Sequence, residues 1–109
     1  MSYQNRYDLD IVDGNVSLYT ILSALNKELF SDLFEAVDEF GCPNAWLDWD
    51  FEEDMKVLSR TYPNVVFQVT VIGELHDDIW RQYFKNGKSY RVDGNIVFPR
   101  YDKELLVNA

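Results

Sequence analysis

The chain has 109 residues, 47% of them apolar and 27% charged, with a formal net charge of −9. That length suits one domain spanning residues 1–109 and is too short for two. The apolar share, with seven Phe, seven Tyr and three Trp, excludes a disordered chain. The negative balance argues against direct nucleic-acid binding through clustered Lys and Arg, and equally against an anionic membrane surface. A single cysteine, Cys42, excludes an internal disulfide. With no charged-then-apolar leader and no apolar run of about 18 residues, the chain reads as cytoplasmic.

Between Tyr3 and Val12, Tyr7, Leu9 and Ile11 alternate with Arg6, Asp8 and Asp10. Period two predicts a half-buried strand, ended by a turn at Asp13-Gly14. From Ser17 the period changes: Leu18, Ile21, Leu22, Leu25 and Leu29 form the stripe of an amphipathic helix, with Ser17 or Asn15 as the cap. The stripe runs on through Leu33, Val37 and Phe40 to Gly41, a suitable left-handed C-cap, and Cys42-Pro43 forbids continuation. This predicts either one bent helix over 17–40 or two helices broken near Phe30-Ser31.

Asn44 to Trp49 is expected to be a strand, followed by Asp50 as a helix cap that shares a capping box with Glu53. Phe51, Met55, Leu58 and Tyr62 give the next helical stripe, with Glu52, Glu53 and Asp54 favourably placed at the positive end of its dipole. Tyr62-Pro63 stops it. Val65 to Ile72 is almost entirely β-branched or aromatic and predicts a central strand. After a polar loop at 73–78, three short strands are expected at Ile79–Phe84, Ser89–Val92 and Ile96–Tyr101. Asn86-Gly87 and Asp93-Gly94 would join them as hairpin turns. Leu105 to Ala109 reads as a docked or frayed tail. The order predicts an α+β fold: a mostly antiparallel sheet with two or three helices on one face and a C-terminal β-meander.

Trp46 to Lys88 carries a further pattern: an aromatic segment ending in Trp49, the helix FEEDMKVLSRTYP, the strand VVFQVTV, a Gly-Glu turn and a strand closing on FKNGK. This stretch resembles the YubB-type ferredoxin-like domains of plasmid- and phage-borne proteins. That family usually has prolines after the strand Trp, where this chain has Asp50 and Phe51. The resemblance implies a ferredoxin-like α/β sandwich and a mobile-element setting, and brings no catalytic motif with it.

Chemistry-bearing patterns are sparse. Glu74, His76 and Asp78 stand on alternate positions and, if extended, would offer O/N/O metal ligands; the competing reading is a charged surface turn. Asp48-Trp49-Asp50 invites a two-carboxylate reading, but a helix cap and a solvent-facing acid explain the same residues. Gly87-Lys88-Ser89 resembles the end of a phosphate loop, yet Gln82 stands where its first glycine is required. Cys42 has no second cysteine to pair with and one distant histidine, and reads as core packing or a lone thiol. The chain is therefore expected to be no enzyme and to carry no cofactor or metal.

The charge map says more. Residues 28–54 hold ten acids and no Lys or Arg, whereas 79–103 hold six cations against two acids, a balance of +4. Carboxylates gathered on one flank can imitate a phosphate backbone, which carries one charge per ~1.7 Å of duplex axis. The sequence thus predicts a non-enzymatic acidic binding protein of a phage or mobile element. Its partner would be a host protein with a basic nucleic-acid-binding groove. An anti-CRISPR-type inhibitor of a Cas nuclease is the specific form. The expected contacts are Glu35, Asp38, Glu39, Asp48, Asp50, Glu52, Glu53 and Asp54, with Trp49 as an anchor; Trp46, Trp80, Tyr83 and Tyr90 are further candidates for exposed aromatic contacts. The alternative is an accessory or regulatory interaction module, homodimeric through sheet faces or edges, whose acids serve only solubility.

Overall fold

The computed structural model describes residues 4–74, 78–94 and 101–107. Four strands form one antiparallel sheet in the order β1-β2-β3-β4: β1 (Arg6–Asp13), β2 (Val66–Ile72), β3 (Ile79–Lys85) and β4 (Lys88–Asp93). Between β1 and β2 lie α1 (Leu18–Ala24), α2 (Ser31–Ala36) and α3 (Phe51–Thr61), and a short α4 (Lys103–Val107) follows β4. Three helices packed on one face of an antiparallel sheet make this the expected α+β sandwich, with ferredoxin-like layering and strands in sequential order.

The alternation in β1 sends Tyr7 and Leu9 into the core and leaves Arg6, Asp8 and Asp10 exposed. In register, Tyr7 faces Val71, Leu9 faces Val69 and Ile11 faces Phe67, so one face of the sheet is continuously apolar. Phe84 completes it from β3. Against it pack Ile21 and Leu22 of α1, Leu33 and Ala36 of α2, and Met55 and Leu58 of α3, all buried. The turn between β3 and β4 takes positive φ at both Asn86 (48°) and Gly87 (78°), the twist a two-residue hairpin requires. Its Gly87 N–H donates to Ser59 Oγ at 2.8 Å, fastening the hairpin tip to α3.

The 17–40 stripe forms two helices: the second starts at Ser31, at the expected break, while the first already ends at Ala24. Ser17 caps α1 as expected, its Oγ accepting the Thr20 N–H at 3.2 Å. At Leu25 the backbone turns extended, and the Asn26 side chain then accepts the Glu28 and Leu29 amides. Those are bonds a continuous helix would need for itself. Leu29 is consequently 76% exposed, outside the stripe it was expected to join. The second helix ends at Ala36 rather than Phe40, because Asp38 Oδ1 captures the N–H groups of Phe40 and Cys42 and bends the chain into a tight loop. Gly41 has the left-handed φ expected of it (82°), but inside this loop, not as a helix cap. Its carbonyl accepts the Leu9 N–H at 2.8 Å, and a Cβ there would run into the Leu9 backbone and the Leu18 side chain.

The expected strand over Asn44–Trp49 does not form. Only Asn5 and Leu47 pair, through two backbone bonds of 2.9 and 3.0 Å. This segment and Gly41 still cover the outer edge of β1, which would otherwise present unpaired backbone. Asp50 does not cap α3 either. Its ψ of 78° departs from the extended geometry a capping side chain needs, and no capping-box bond to or from Glu53 is made. The expected strand over Ile96–Tyr101 lies outside the described residues apart from Tyr101, which is in neither helix nor strand. Within the expected tail, the chain is helical to Val107.

One polar contact sits in the middle of this core. The Trp49 N–H donates to the Tyr7 hydroxyl at 3.0 Å, a buried bond across 42 positions of sequence. Tyr7→Phe strands that N–H without a partner, so the expected loss is about 1–3 kcal/mol. Urea unfolding measures it, and an unchanged midpoint would show that the hydroxyl holds nothing in place.

Candidate acidic binding surface

The acidic stretch occupies α2, the loop after it and the first turn of α3. Glu35, Glu39, Asp48, Asp50, Glu52 and Glu53 are exposed, and Asp38 and Asp54 are half-buried. Trp49 is 2% exposed and packs edge-on against Tyr7 with ring centroids 5.3 Å apart, so it is part of the core and not a surface anchor. The backbone bond to Tyr7 and the apolar ring together account for its burial.

Three of the expected contact acids already have work inside the fold. Asp38 braces its loop. Asp54 Oδ2 accepts the Trp49 indole N–H at 2.8 Å. Glu52 lies 3.7 Å from the Lys56 ammonium and accepts a long bond of 3.5 Å from Gln82. The side chains left facing solvent are Glu35, Glu39, Asp48, Asp50 and Glu53, joined by Asp32 in the first turn of α2. Among the described residues the ion pairs are Lys56–Glu52 and Arg91–Asp93, so of the ten acids in 28–54 only Glu52 has a cation beside it.

The carboxylates gather at two foci. Burial raises the Asp54 pKa above its ordinary 3.8, the Trp49 hydrogen bond opposes the rise, and the charges of Asp32, Asp50 and Glu53 add to it. At the second focus burial raises the Asp8 pKa, with Asp10 and Asp38 adding to the rise and Arg81 opposing it. Cys42 is exposed beside this focus, not packed in the core, and the charge of Asp38 pushes its thiol pKa up. Between the foci runs α2, about 9 Å long for six residues, a span of two to three phosphate steps along one strand of a duplex. Asp8 and Asp10 were not among the expected contacts. Their signal was present in the β1 alternation, which marks both as outward-facing.

An open groove of about 460 Å³ lies against the same flank, floored by Leu22, Phe34 and Val37 and edged by Lys27, Asp38 and Glu39. Beside it Tyr19 and Phe40 stack at 5.5 Å while remaining 51% and 62% exposed. These two were absent from the expected aromatic contacts; Tyr19 lines the groove with Asp38 and Glu39, and Phe40 follows Glu39 in the chain. Of the aromatics that were expected at a surface, Trp46 is 44% exposed with the Arg6 guanidinium 5.7 Å from its ring. Trp80 is half-buried beneath Arg91, and Tyr83 lies tilted against the exposed Tyr90 with ring centroids 5.1 Å apart.

Glu74 and Asp78 are exposed at the two ends of their loop, and His76 lies outside the described residues. Among the described residues no three His, Cys, Asp or Glu side chains are grouped to hold a metal ion, and no helix is long and apolar enough to cross a membrane. Comparison with family models, curated proteins and solved structures finds no match.

A carboxyl whose pKa rises on folding holds its proton more tightly in the folded state. Its ionised form therefore destabilises the fold at neutral pH, and stability is regained as pH falls from above the folded pKa toward 3.8. Asp54→Asn keeps an oxygen for the Trp49 indole and removes the titration. The melting temperature of the unsubstituted chain, relative to that of the variant, is expected to climb as pH is lowered from about 7 to about 4. A difference that stays flat with pH would contradict the assignment.

Proposed function

We propose that this chain is a non-enzymatic binding protein that offers its acidic flank to the basic, nucleic-acid-binding groove of a partner protein, occupying the place of the nucleic acid. The observation that carries this reading is the unpaired state of the flank. Among the described residues, Glu35, Glu39, Asp48, Asp50 and Glu53 have no cation within ion-pair distance. Charges used for stability alone tend to be interspersed with the opposite sign. Here they are segregated, which favours fast, salt-sensitive association with a positive surface.

The groove edged by Asp38 and Glu39, with Tyr19 and Phe40 beside it, supplies the apolar component that a contact surface needs in addition to charge. The resemblance of residues 46–88 to YubB-type domains supports a phage or plasmid setting. In that setting the form we favour is an anti-CRISPR-type inhibitor of a Cas nuclease.

Competition measures this directly. Purified Cas effectors, each without guide, are loaded with labelled duplex DNA or guide RNA and titrated with the chain. At least one effector is expected to lose its nucleic acid, with a steep dependence on salt. The variant E35K/E39K/D50K/E53K, shown by its melting curve to be folded, is expected to compete at least about tenfold less well. Equal competition by that variant would remove the mimicry reading.

A further inference from the structure

The face of the sheet turned away from the helices is charged in a self-complementary way. Its acids stand on one edge strand: Asp8, Asp10 and Asp13 of β1, all exposed. Its cations stand on the other side: Arg81 and Lys85 of β3 and Lys88 of β4, also exposed. Arg6, the one cation of β1 on this face, is drawn toward the ring of Trp46. Between the two sides the surface is uncharged, with Gln68 and Thr70 of β2 beside the Tyr83–Tyr90 pair. Tyr90 is 62% and Val92 42% exposed, so no described element covers the β4 side.

We propose that this face binds a second copy of the same chain, sheet against sheet, about a two-fold axis parallel to the strands and passing between β2 and β3. The charges choose that axis. A two-fold axis along the strands lays β1 of one copy over β4 of the other, and β2 over β3. A two-fold axis across the strands would lay β1 on β1, acid against acid. Sheets stack about 10 Å apart with their strands nearly aligned, which side chains from both faces can fill.

The strand register fixes which residues then meet. One row of the sheet runs Asp10, Gln68, Tyr83, Tyr90. An axis along the strands preserves rows, so Asp10 of each copy lies over Tyr90 of the other, a carboxylate facing a phenol O–H. Another row runs Asp8, Thr70, Arg81, Val92 and places Asp8 over Val92 with Arg81 on the neighbouring strand. At the end of the sheet, Asp13 pairs with Val66 and Lys85 with Lys88, so Asp13 of each copy lies over Lys88 of the other. The interface is isologous, each contact occurring twice.

A second copy fits this face better than a nucleic-acid strand. Tyr83, Tyr90 and the three cations would suit stacked bases. The acids of β1 on the same face, and the net charge of −9, repel phosphate. Four strands of about seven residues give a footprint of roughly 19 by 23 Å, or about 440 Å² per copy. That is small for a stable dimer, so association in the micromolar range or weaker is expected.

Sedimentation equilibrium over about 5 µM to 1 mM tests the proposal, with two exposed charges exchanged in turn. The unsubstituted chain is expected to approach dimer mass at the upper end. Asp13→Lys alone and Lys88→Asp alone each set like charges opposite one another twice, and each is expected to weaken the dimer at least about tenfold. In a mixture of the two variants, a heterodimer again has opposite charges facing each other at both contacts, so mixing is expected to restore dimerisation. A monomer at every concentration overturns the proposal, as does a dimer indifferent to both substitutions or a mixture that stays monomeric. So does a monomer whose Tyr83 and Tyr90 fluorescence is quenched by oligothymidine, which would make the face a base platform. Neither Asp13 nor Lys88 is exchanged in the competition experiment, so the two experiments fail separately, although the dimer would cover Asp8 and Asp10 of the second acidic focus.

Discussion

Trp49 is the fastener on which the arrangement of the acids depends. The chain between Val37 and Asp50 contains no helix and no strand longer than a single bridge. Irregular backbone of that length must be tied down residue by residue. Trp49 supplies two such ties: its amide reaches Tyr7 on β1 and its indole reaches Asp54 on α3. Phe51 completes the joint. Its ring lies within 6.0 Å of those of Tyr7, Trp49, Trp80 and Phe84, so the start of α3 is held to β1 and β3 at once. The acids on either side of Trp49 inherit their positions from it.

The fold spends part of its negative charge internally. Asp10, Asp38 and Asp54 each accept an N–H, and Glu52 lies beside a lysine. Hydrogen bonds to charged acceptors are stronger than those to neutral ones, so these contacts offset some of the repulsion that a net charge of −9 creates, although at Asp54 burial and the neighbouring acids outweigh the bond. Asp93 pairs with Arg91 and Asp102 accepts the Glu104 N–H, whereas Asp32, Glu35, Glu39, Asp48, Asp50 and Glu53 have neither an ion pair nor a side-chain hydrogen bond among the described residues. The two groups differ only in tertiary surroundings, since a carboxylate that braces a turn and one that faces water are chemically the same side chain.

Sequence patterns carried the regular parts well, and for physical reasons. Period two in β1, the β-branched run of β2, the Asn86-Gly87 turn and the stripe of α3 each report one local preference that the tertiary structure reinforces. The failures fall where a side chain competes with the backbone. Asn26 and Asp38 take amides that the helical stripe had assigned to itself, so a pattern of apolar residues out to Phe40 overstates the helix. Asp50 looks like a cap by composition but lacks the backbone angle for it. Of the site, the exposed acids were legible from charge alone. The withdrawal of Trp49 into the core was not, since it rests on a contact with Tyr7 that no local spacing announces. The stacked Tyr19 and Phe40 were missed for the same reason, being brought together only by the loop that Asp38 bends.

The sequential strand order has a bearing on how the molecule assembles. Strands β2, β3 and β4 follow one another in the chain and form a three-stranded sheet clasped to α3 through Ser59 and Gly87. β1 joins that sheet only by closing a loop of roughly fifty residues, an entropic cost of about 3–4 kcal/mol. The whole helical layer, acids included, sits inside that loop. The meander is thus the part of the sheet with the most local pairing, and the negatively charged helical flank is the part whose order is conditional on β1 being in place.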